Sequence, residues 1–494
     1  MLKKTILTWL MILFLLAGCT QAVTVTPSDS STEPSGNVAA PAAATTPTTE
    51  SEPVATLADE EVIGGSEIMT AALLEGRSSF GVELHDFDTL PKAVAANIHW
   101  VRYNALLWSD YQPDSPDQFI QNKEFEADMI AVNEAGMELI LIVRSTPDWA
   151  QKLEGYFCGP MSEEHLDDFA KFMAALVKEY SVPPFNVKYF ELWNEPDEAW
   201  ERVYAPDAVL GCWGELGDPE FGGAYYGEML KAVYPAIKRA NPQAQLVLGG
   251  LVLPCRPEDD VYCEMSLFFE GILKAGAGAY FDFVNFHSYT TYDPDQPGVI
   301  LMEKNEHWWA ASGGQVEGKF AYLQEVMAEY EIDKPVLLTE TALIDPTDVA
   351  LEDLNAFEQD KAEYLVWLYV RNSARGIRAT NWYHLDSYGW LKGGLLDSNN
   401  LPLPAHQAYS FLTAILGDAK FSREFSIAEN VLAFEFLTSD ARVWVLFSQD
   451  GSVQHIDSAD DFENAYDIYG NTVELALEGQ IEFTQPLYIE LSPQ

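Results

Sequence analysis

The chain has 494 residues, enough for two or three domains and a sizeable core. Apolar residues make up 48% and aromatics 13%, so most of it is globular and not disordered. Lys and Arg total 28 against 77 Asp and Glu, a net charge of −49, which excludes a nucleic-acid partner by repulsion and disfavours an anionic glycan unless a local basic pocket exists.

The first 19 residues form a targeting segment. Lys3 and Lys4 precede an apolar run from Ile6 to Ala17, which has the length of a signal core and is short for a membrane span. The segment ends Leu16-Ala17-Gly18-Cys19, which resembles the bacterial lipoprotein signal. That resemblance implies lipidation at Cys19, export, and anchoring to the cell membrane or outer membrane by lipid alone. Residues 20–60 are rich in Ser, Thr, Pro, Ala and Glu, and read as a disordered tether.

From Phe80 to Leu416 short apolar runs alternate with longer amphipathic ones. Eight strands are expected at 80–84, 100–104, 138–143, 187–193, 245–250, 281–287, 335–340 and 379–384. Helical patterns at 162–180, 225–240, 320–330 and 357–374 lie between them. Eight β–α units in series predict a (β/α)8 (TIM) barrel over 61–417. The rival, a doubly wound open sheet, lacks a GxGxxG turn after the first strand. After Leu416 the period becomes two, with turn signals at Ser439-Asp440, Asp450-Gly451 and Gly470-Asn471. Residues 418–494 are therefore expected to be a small all-β, sandwich-like domain.

Beyond Cys19, four cysteines remain: Cys158, Cys212, Cys255 and Cys263. In an exported chain they favour disulfides, and no His pair beside them has zinc-ligand spacing. Three pairings are possible; Cys158–Cys212 and Cys255–Cys263 is the expected one.

Two strand ends carry carboxylates. Strand four runs into Glu191-Leu192-Trp193-Asn194-Glu195-Pro196, and strand seven into Leu338-Thr339-Glu340-Thr341. In a barrel these ends converge on the catalytic face. Either glutamate alone could be a surface or salt-bridged group. Two facing carboxylates are the equipment of glycoside hydrolysis: one protonated to donate to the leaving oxygen, one ionised to attack. A separation of about 5–5.5 Å gives retention through a covalent glycosyl-enzyme.

Trp193-Asn194-Glu195-Pro196 with Thr339-Glu340 resembles the clan A retaining glycoside hydrolases, family 39 and its bacterial endoglycosidase-like members in particular. The resemblance implies that Glu195 is the acid/base and Glu340 the nucleophile. Asn194 would bond the sugar 2-hydroxyl, although strict alternation sets it and Glu195 on opposite faces unless the strand ends there. Arg102 matches a strand-two arginine that would keep Glu340 ionised. His287 and Tyr289 match a strand-six His-x-Tyr pattern that orients nucleophile or sugar; a satisfied core histidine is the plain alternative for the first. Trp382 matches the strand-eight tryptophan that floors the attacked sugar's subsite, with a non-proline cis peptide expected at Trp382-Tyr383.

Trp149 is a further candidate for sugar stacking, alongside Trp108, Trp200, Trp213, Trp308, Trp309 and Trp390 in segments flanking strand ends. Loop packing accounts for about half of such residues, since Trp is usually largely buried. The expected partner is a carbohydrate and the expected state a monomer. The mechanism requires no cofactor and no metal, though a structural calcium is compatible with so acidic a chain. Two other readings use the same residues: a glycan-binding protein on a decayed hydrolase scaffold, and a transglycosylase.

Overall fold

The computed structural model describes residues 78–203, 210–305, 308–347, 355–459, 461–474 and 480–493. The signal segment with Cys19 and the 20–60 tether lie outside the described residues. No described helix is long and apolar enough to cross a membrane.

Eight parallel strands form one sheet. They are β1 (Phe80–Glu83), β2 (Trp100–Leu107), β3 (Glu138–Arg144), β4 (Tyr189–Leu192), β5 (Gln245–Leu248), β6 (Val284–Thr291), β7 (Val336–Ile344) and β8 (Thr380–Trp382). Their order, β5-β4-β3-β2-β1-β8-β7-β6, leaves β5 and β6 at the ends. Parallel bridges Val247–Phe283 and Leu251–Phe286 join those ends, so the sheet closes into the expected barrel.

Each strand is followed by a helix of the outer ring, α1 (Leu90–Ala95), α2 (Lys123–Glu134), α3 (Leu166–Tyr180), α4 (Gly223–Ala240), α5 (Leu267–Lys274), α6 (Gln315–Glu329), α7 (Asn355–Arg375) and α8 (Pro404–Leu416), and short extra helices, Trp108–Tyr111 and Val299–Lys304, come after β2 and β6. The apolar stripe of α3 runs through Phe169, Phe172, Met173 and Leu176, all buried. That is the i, i+3, i+4, i+7 pattern of a helix facing a core.

Side chains alternate along a strand, so the barrel interior is layered. Its lower layer is apolar: Trp100, Ile140, Tyr189, Val247, Phe283, Leu337 and Ala379 form one cluster. Two residues further along, the strands carry Arg102, Glu191 and Thr339, so a charged layer sits on the apolar plug and supports the site above it.

Beyond α8 the chain is all-β. Strands β9 (Lys420–Ala428), β10 (Val431–Leu437), β11 (Arg442–Ser448), β13 (Phe462–Tyr466) and β15 (Leu487–Leu491) make an antiparallel sheet, and β12 (Gln454–Asp457) pairs with β14 (Gln480–Phe483). Period-two patterning buries both faces of the larger sheet. Val431, Ala433 and Leu446 pack on Ile456 and Ile481 of the smaller sheet, which gives the expected sandwich. Phe434 and Phe447 on the opposite face pack against Trp367 of α7 (6.0 and 5.2 Å between rings), which seats the sandwich on the barrel wall. Gly451 and Gly470 take left-handed φ values of 69° and 85° at two of the expected turns.

Candidate active site

The site is built on Arg102. It is fully buried near the middle of β2. Nη1 donates to Glu83 Oε2 and to Glu340 Oε1, each at 2.5 Å. Nε and Nη2 fork onto Glu191 at 3.0 and 2.7 Å, and Nη2 also donates to Asn194 Oδ1 at 2.7 Å. One cation thus serves three buried carboxylates. Burial would raise Glu83, but Arg102 and His85 outweigh it and hold the carboxyl down at about 2.

Local backbone irregularities bring the remaining groups together. Strand β4 stops at Leu192, and Trp193 and Glu195 take left-handed φ values of 65° and 50°. Non-glycine residues rarely adopt this region, and such strain gathers at functional sites. The strand therefore ends before alternation can separate Asn194 from Glu195. Asn194 turns to Arg102, and Glu195 Oε1 reaches His287 Nδ1 at 2.8 Å. On β7 the pairing register slips between Leu338 and Glu340. A bulge of this kind lets neighbouring residues face the same side. Thr339 meets His287 Nε2 at 3.1 Å while Glu340 meets Arg102. Gly250 makes room, since a Cβ there would stand 2.0 Å from His287 Nε2.

Burial pushes Glu195 up to about 7, against the pull of Arg102 and Lys319. Burial pulls His287 down to about 4, so its ring is neutral at pH 7 and carries one N–H. Thr339 Oγ1 donates to Asn285 Oδ1 at 2.9 Å, so it accepts from His287 Nε2. That leaves His287 Nδ1 to accept a proton from Glu195. Tautomer and raised pKa agree on a protonated Glu195. Burial also raises Glu340, although Arg102 opposes it. Arg102 alone therefore does not hold Glu340 at an ordinary carboxylate value, because Glu83 and Glu191 share it. Tyr289 supplies a further donor, its hydroxyl 2.5 Å from Glu340 Oε2. One oxygen of Glu195, one nitrogen of His287 and one oxygen of Glu340 lie within 4.8 Å of one another.

The structure thus brings Arg102, Asn194, Glu195, His287, Tyr289 and Glu340 into one cluster. It does not do so for Trp382 or Trp149. Trp382 is fully buried, with Nε1 donating to Gly393 O at 2.7 Å. On β8 it shares parity with Thr380, which bonds Asn372 of α7, and its own ring meets Tyr364 of the same helix. It therefore packs between sheet and helix and offers no face to a sugar. The non-proline cis peptide falls one residue later than expected, at Tyr383-His384. The aromatic at the open end is Tyr383, half-buried and edge-on to Tyr289 (5.9 Å) and His85 (5.5 Å). Trp149 bonds Gln112 O and stands edge-on to Trp108 and His165. Trp108, Trp213 and Trp309 are core residues, whereas Trp390 is 42% exposed and edge-on to Tyr289 at 5.1 Å.

Sequence reasoning assigned no role to Glu83, Glu191, Tyr383 or the group His85, His384 and Asp386. The first two had a signal: charged residues inside the apolar strands FGVEL and YFELW need a buried partner, and Arg102 in WVRYN is the matching cation. His384 Nδ1 is buried without a hydrogen-bond partner, 3.3 Å from Asp386 Oδ2, and Asp386 Oδ1 accepts from the His85 backbone N–H. Cys158–Cys212 and Cys255–Cys263 are bonded as expected.

The sequence matches no family model and no curated protein. Solved structures do resemble it. A family 39 glycoside hydrolase from the gut symbiont Bacteroides cellulosilyticus aligns with TM-score 0.63 at 20% identity, over 85% of this chain and 82% of its own. The catalytic domain of GH30 xylanase C from Talaromyces cellulolyticus gives 0.55 at 12%, over 84% and 98%. A GH39 β-xylosidase from Caulobacter crescentus gives 0.54 at 15%, over 84% and 96%. At these identities the likeness establishes the fold: a (β/α)8 barrel of the kind that carries these hydrolases.

Proposed function

We propose that the protein is a retaining glycoside hydrolase acting on a polysaccharide or oligosaccharide. The observation that carries this reading is the pair Glu195 and Glu340, with oxygens within 4.8 Å of each other across a neutral His287. That closeness supports direct attack by one carboxylate, as in a retaining enzyme.

In the first step Glu340 attacks the anomeric carbon. The bond to the leaving oxygen breaks as Glu195 gives that oxygen its proton, and an ester to Glu340 forms. Water then attacks the same anomeric carbon from the opposite face, Glu195 takes its proton, and Glu340 departs as the carboxylate. Tyr289 and Arg102 hold the Glu340 oxygens in both steps. Asn194, fixed through Oδ1 to Arg102, is assigned to the sugar 2-hydroxyl. Tyr383 is assigned to the sugar's apolar face. Export and lipid anchoring through Cys19 belong to the same proposal, and two disulfides suit an oxidising compartment.

The test is turnover of a broad glycan panel, with products read by mass spectrometry and the first-formed anomer by proton NMR. Cleavage with retention by the parent, and none by Glu340→Gln, is the expected result. Inversion, or undiminished turnover in Glu340→Gln, would overturn the assignment. Transfer to an added acceptor sugar in preference to water would mark a transglycosylase.

A further inference from the structure

The barrel closes between β5 and β6, and that seam is thin. Among the described residues the two strands share only the isolated bridges Val247–Phe283 and Leu251–Phe286. Strand β5 leaves its ladder at Gly249 and Gly250, whose N–H groups go to the Tyr226 hydroxyl and to Glu191 Oε1, each at 3.2 Å. The next carbonyls carry both partners of the Glu195–His287 contact. The Glu195 N–H donates to Gly250 O at 3.1 Å, and the His287 N–H donates to Leu251 O at 2.8 Å. The 2.8 Å contact between Glu195 Oε1 and His287 Nδ1 therefore depends on how this short segment sits against β6.

Lys319 ties the seam from the helix outside it. It lies in the second turn of α6 and is buried, as are Val316, Phe320 and Leu323 of the same helix. Its Nζ donates to Val252 O at 2.7 Å and to His287 O at 2.9 Å, one carbonyl from each side of the seam. The Val252 N–H in turn donates to Asp197 Oδ2 at 2.9 Å, and Asp197 lies two residues beyond Glu195. One ammonium and one carboxylate thus lock together the loop of Glu195, the end of β5 and His287. Two carbonyls can be satisfied by a neutral donor, whereas burying an ammonium carries a large desolvation cost, so the charge itself calls for a role. One acid on which that charge acts is Glu195, whose carboxyl it draws down against burial, as Arg102 does.

We infer that Lys319 is a positioning residue of this site: it ties β6 to the end of β5, fixes the His287 ring against Glu195, and sets a positive charge beside that pair. The inference rests on the hydrolase reading for what the pair does. Removing the ammonium has two separable consequences. The tie loosens, the acid is misplaced, and kcat falls. The charge is also lost, so the protonated form of Glu195 gains and the falling limb of the pH profile moves to higher pH. The sign follows from the groups around Glu195. These are Arg102 of β2, Glu83 of β1, Glu191 of β4, Glu340 of β7 and, in its own loop, Asp197 and Glu198, with His287, Tyr289 and Tyr383 neutral. Among them Arg102 is then the cation left to oppose burial.

Three variants of the full protein separate the two effects. Lys319→Met loses donors and charge, Lys319→Gln keeps N–H donors without the charge, and Lys319→Arg keeps both. Circular dichroism checks the fold, and kcat and KM are read against pH on the glycan that the parent cleaves. In Lys319→Met kcat should fall about 10–100-fold with KM changed much less, and the falling limb should move to higher pH. Lys319→Gln should recover part of kcat and keep the moved limb. Lys319→Arg should return the limb to the parent's position. A limb unmoved in both neutral variants overturns the inference, as does parental kcat in Lys319→Met. Failure of all three variants to fold would also overturn it, by making Lys319 a stability residue alone. Carbon-13 NMR of the Glu195 carboxyl, assigned with Glu195→Gln, reads the same shift with no substrate present. That shift in a protein that cleaves no glycan would sink the hydrolase reading and leave the assignment of Lys319 standing. Turnover with the shift absent would do the reverse.

Discussion

Replacing Tyr289 by Phe removes one hydroxyl from the site and little else. That hydroxyl donates to Glu340 Oε2 at 2.5 Å, where burial already raises the carboxyl. A hydrogen bond to a charged acceptor contributes about 1.5–3 kcal/mol. At about 1.4 kcal/mol per tenfold, that energy is worth about 10–100-fold between the ionised and protonated forms, and its loss should raise Glu340 further. The sign follows from the donor: it favours the ionised carboxylate, and without it the protonated form gains. Glu340 attacks only when ionised, so the acid limb of kcat/KM moves up with it. Below that limb the variant should lose about 10–100-fold, and on the plateau above it much less. The assay is the pH profile of kcat/KM on an aryl glycoside whose leaving group needs no proton, which removes the Glu195 limb. Circular dichroism checks that the fold is kept. A uniform loss at every pH, with the limb unmoved, would mean that Tyr289 only holds geometry. A limb that moves down would refute the electrostatic reasoning.

Glu195→Gln should abolish the falling limb near pH 7 on substrates with poor leaving groups, together with most of the rate, while good leaving groups retain much of theirs; a basic limb that persists on either substrate class would remove Glu195 as the acid. Arg102→Met leaves three buried carboxylates without their cation and should cost about 3–5 kcal/mol in urea unfolding at pH 7. Glu83 contributes stability above its ordinary 4.5 that is lost as pH falls towards 2, so the deficit should narrow in acid; a pH-independent deficit would contradict this. Trp382→Phe should lower stability by about 1–3 kcal/mol with KM nearly unchanged, and Tyr383→Ala should raise KM with little loss of stability; the opposite pattern would restore Trp382 as the platform. Replacing Cys158 and Cys212 by Ser, which opens a loop of 54 residues, should cost about 4 kcal/mol, against about 2.5 for Cys255 and Cys263 across 8; equal losses in thermal unfolding would argue against loop entropy as the cause.

The barrel was legible because its signal is local and repeated. Apolar runs eight times over, each followed by a helical stripe, leave few closed architectures. The cysteine pairing was a choice among three, and the structure fixed it through the two loops it joins. Glu195 and Glu340 stood out because a carboxylate just beyond an apolar strand has no packing role. What misled at β8 was chemical likeness: tryptophan looked like a platform, while strand parity sends Trp382 towards Tyr364 and leaves Tyr383 at the opening.

By itself the sequence determined the class of fold, the ends at which chemistry gathers, and the residue types able to carry it, because period, charge and strand order are written in one dimension. The tertiary structure decided how those residues share their charges. Glu83, Glu191 and Glu340 are 108 and 149 residues apart in sequence, and only closure of the barrel sets all three around Arg102. Burial raises both Glu83 and Glu195, and only the charges of Arg102 and His85 beside it hold Glu83 at about 2 while Glu195 is pushed up to about 7. The left-handed turn at Trp193 and Glu195 and the register slip at Thr339 likewise depend on neighbours distant in the chain. A pKa and a bulge are properties of an environment, and the environment exists only once the sheet has closed.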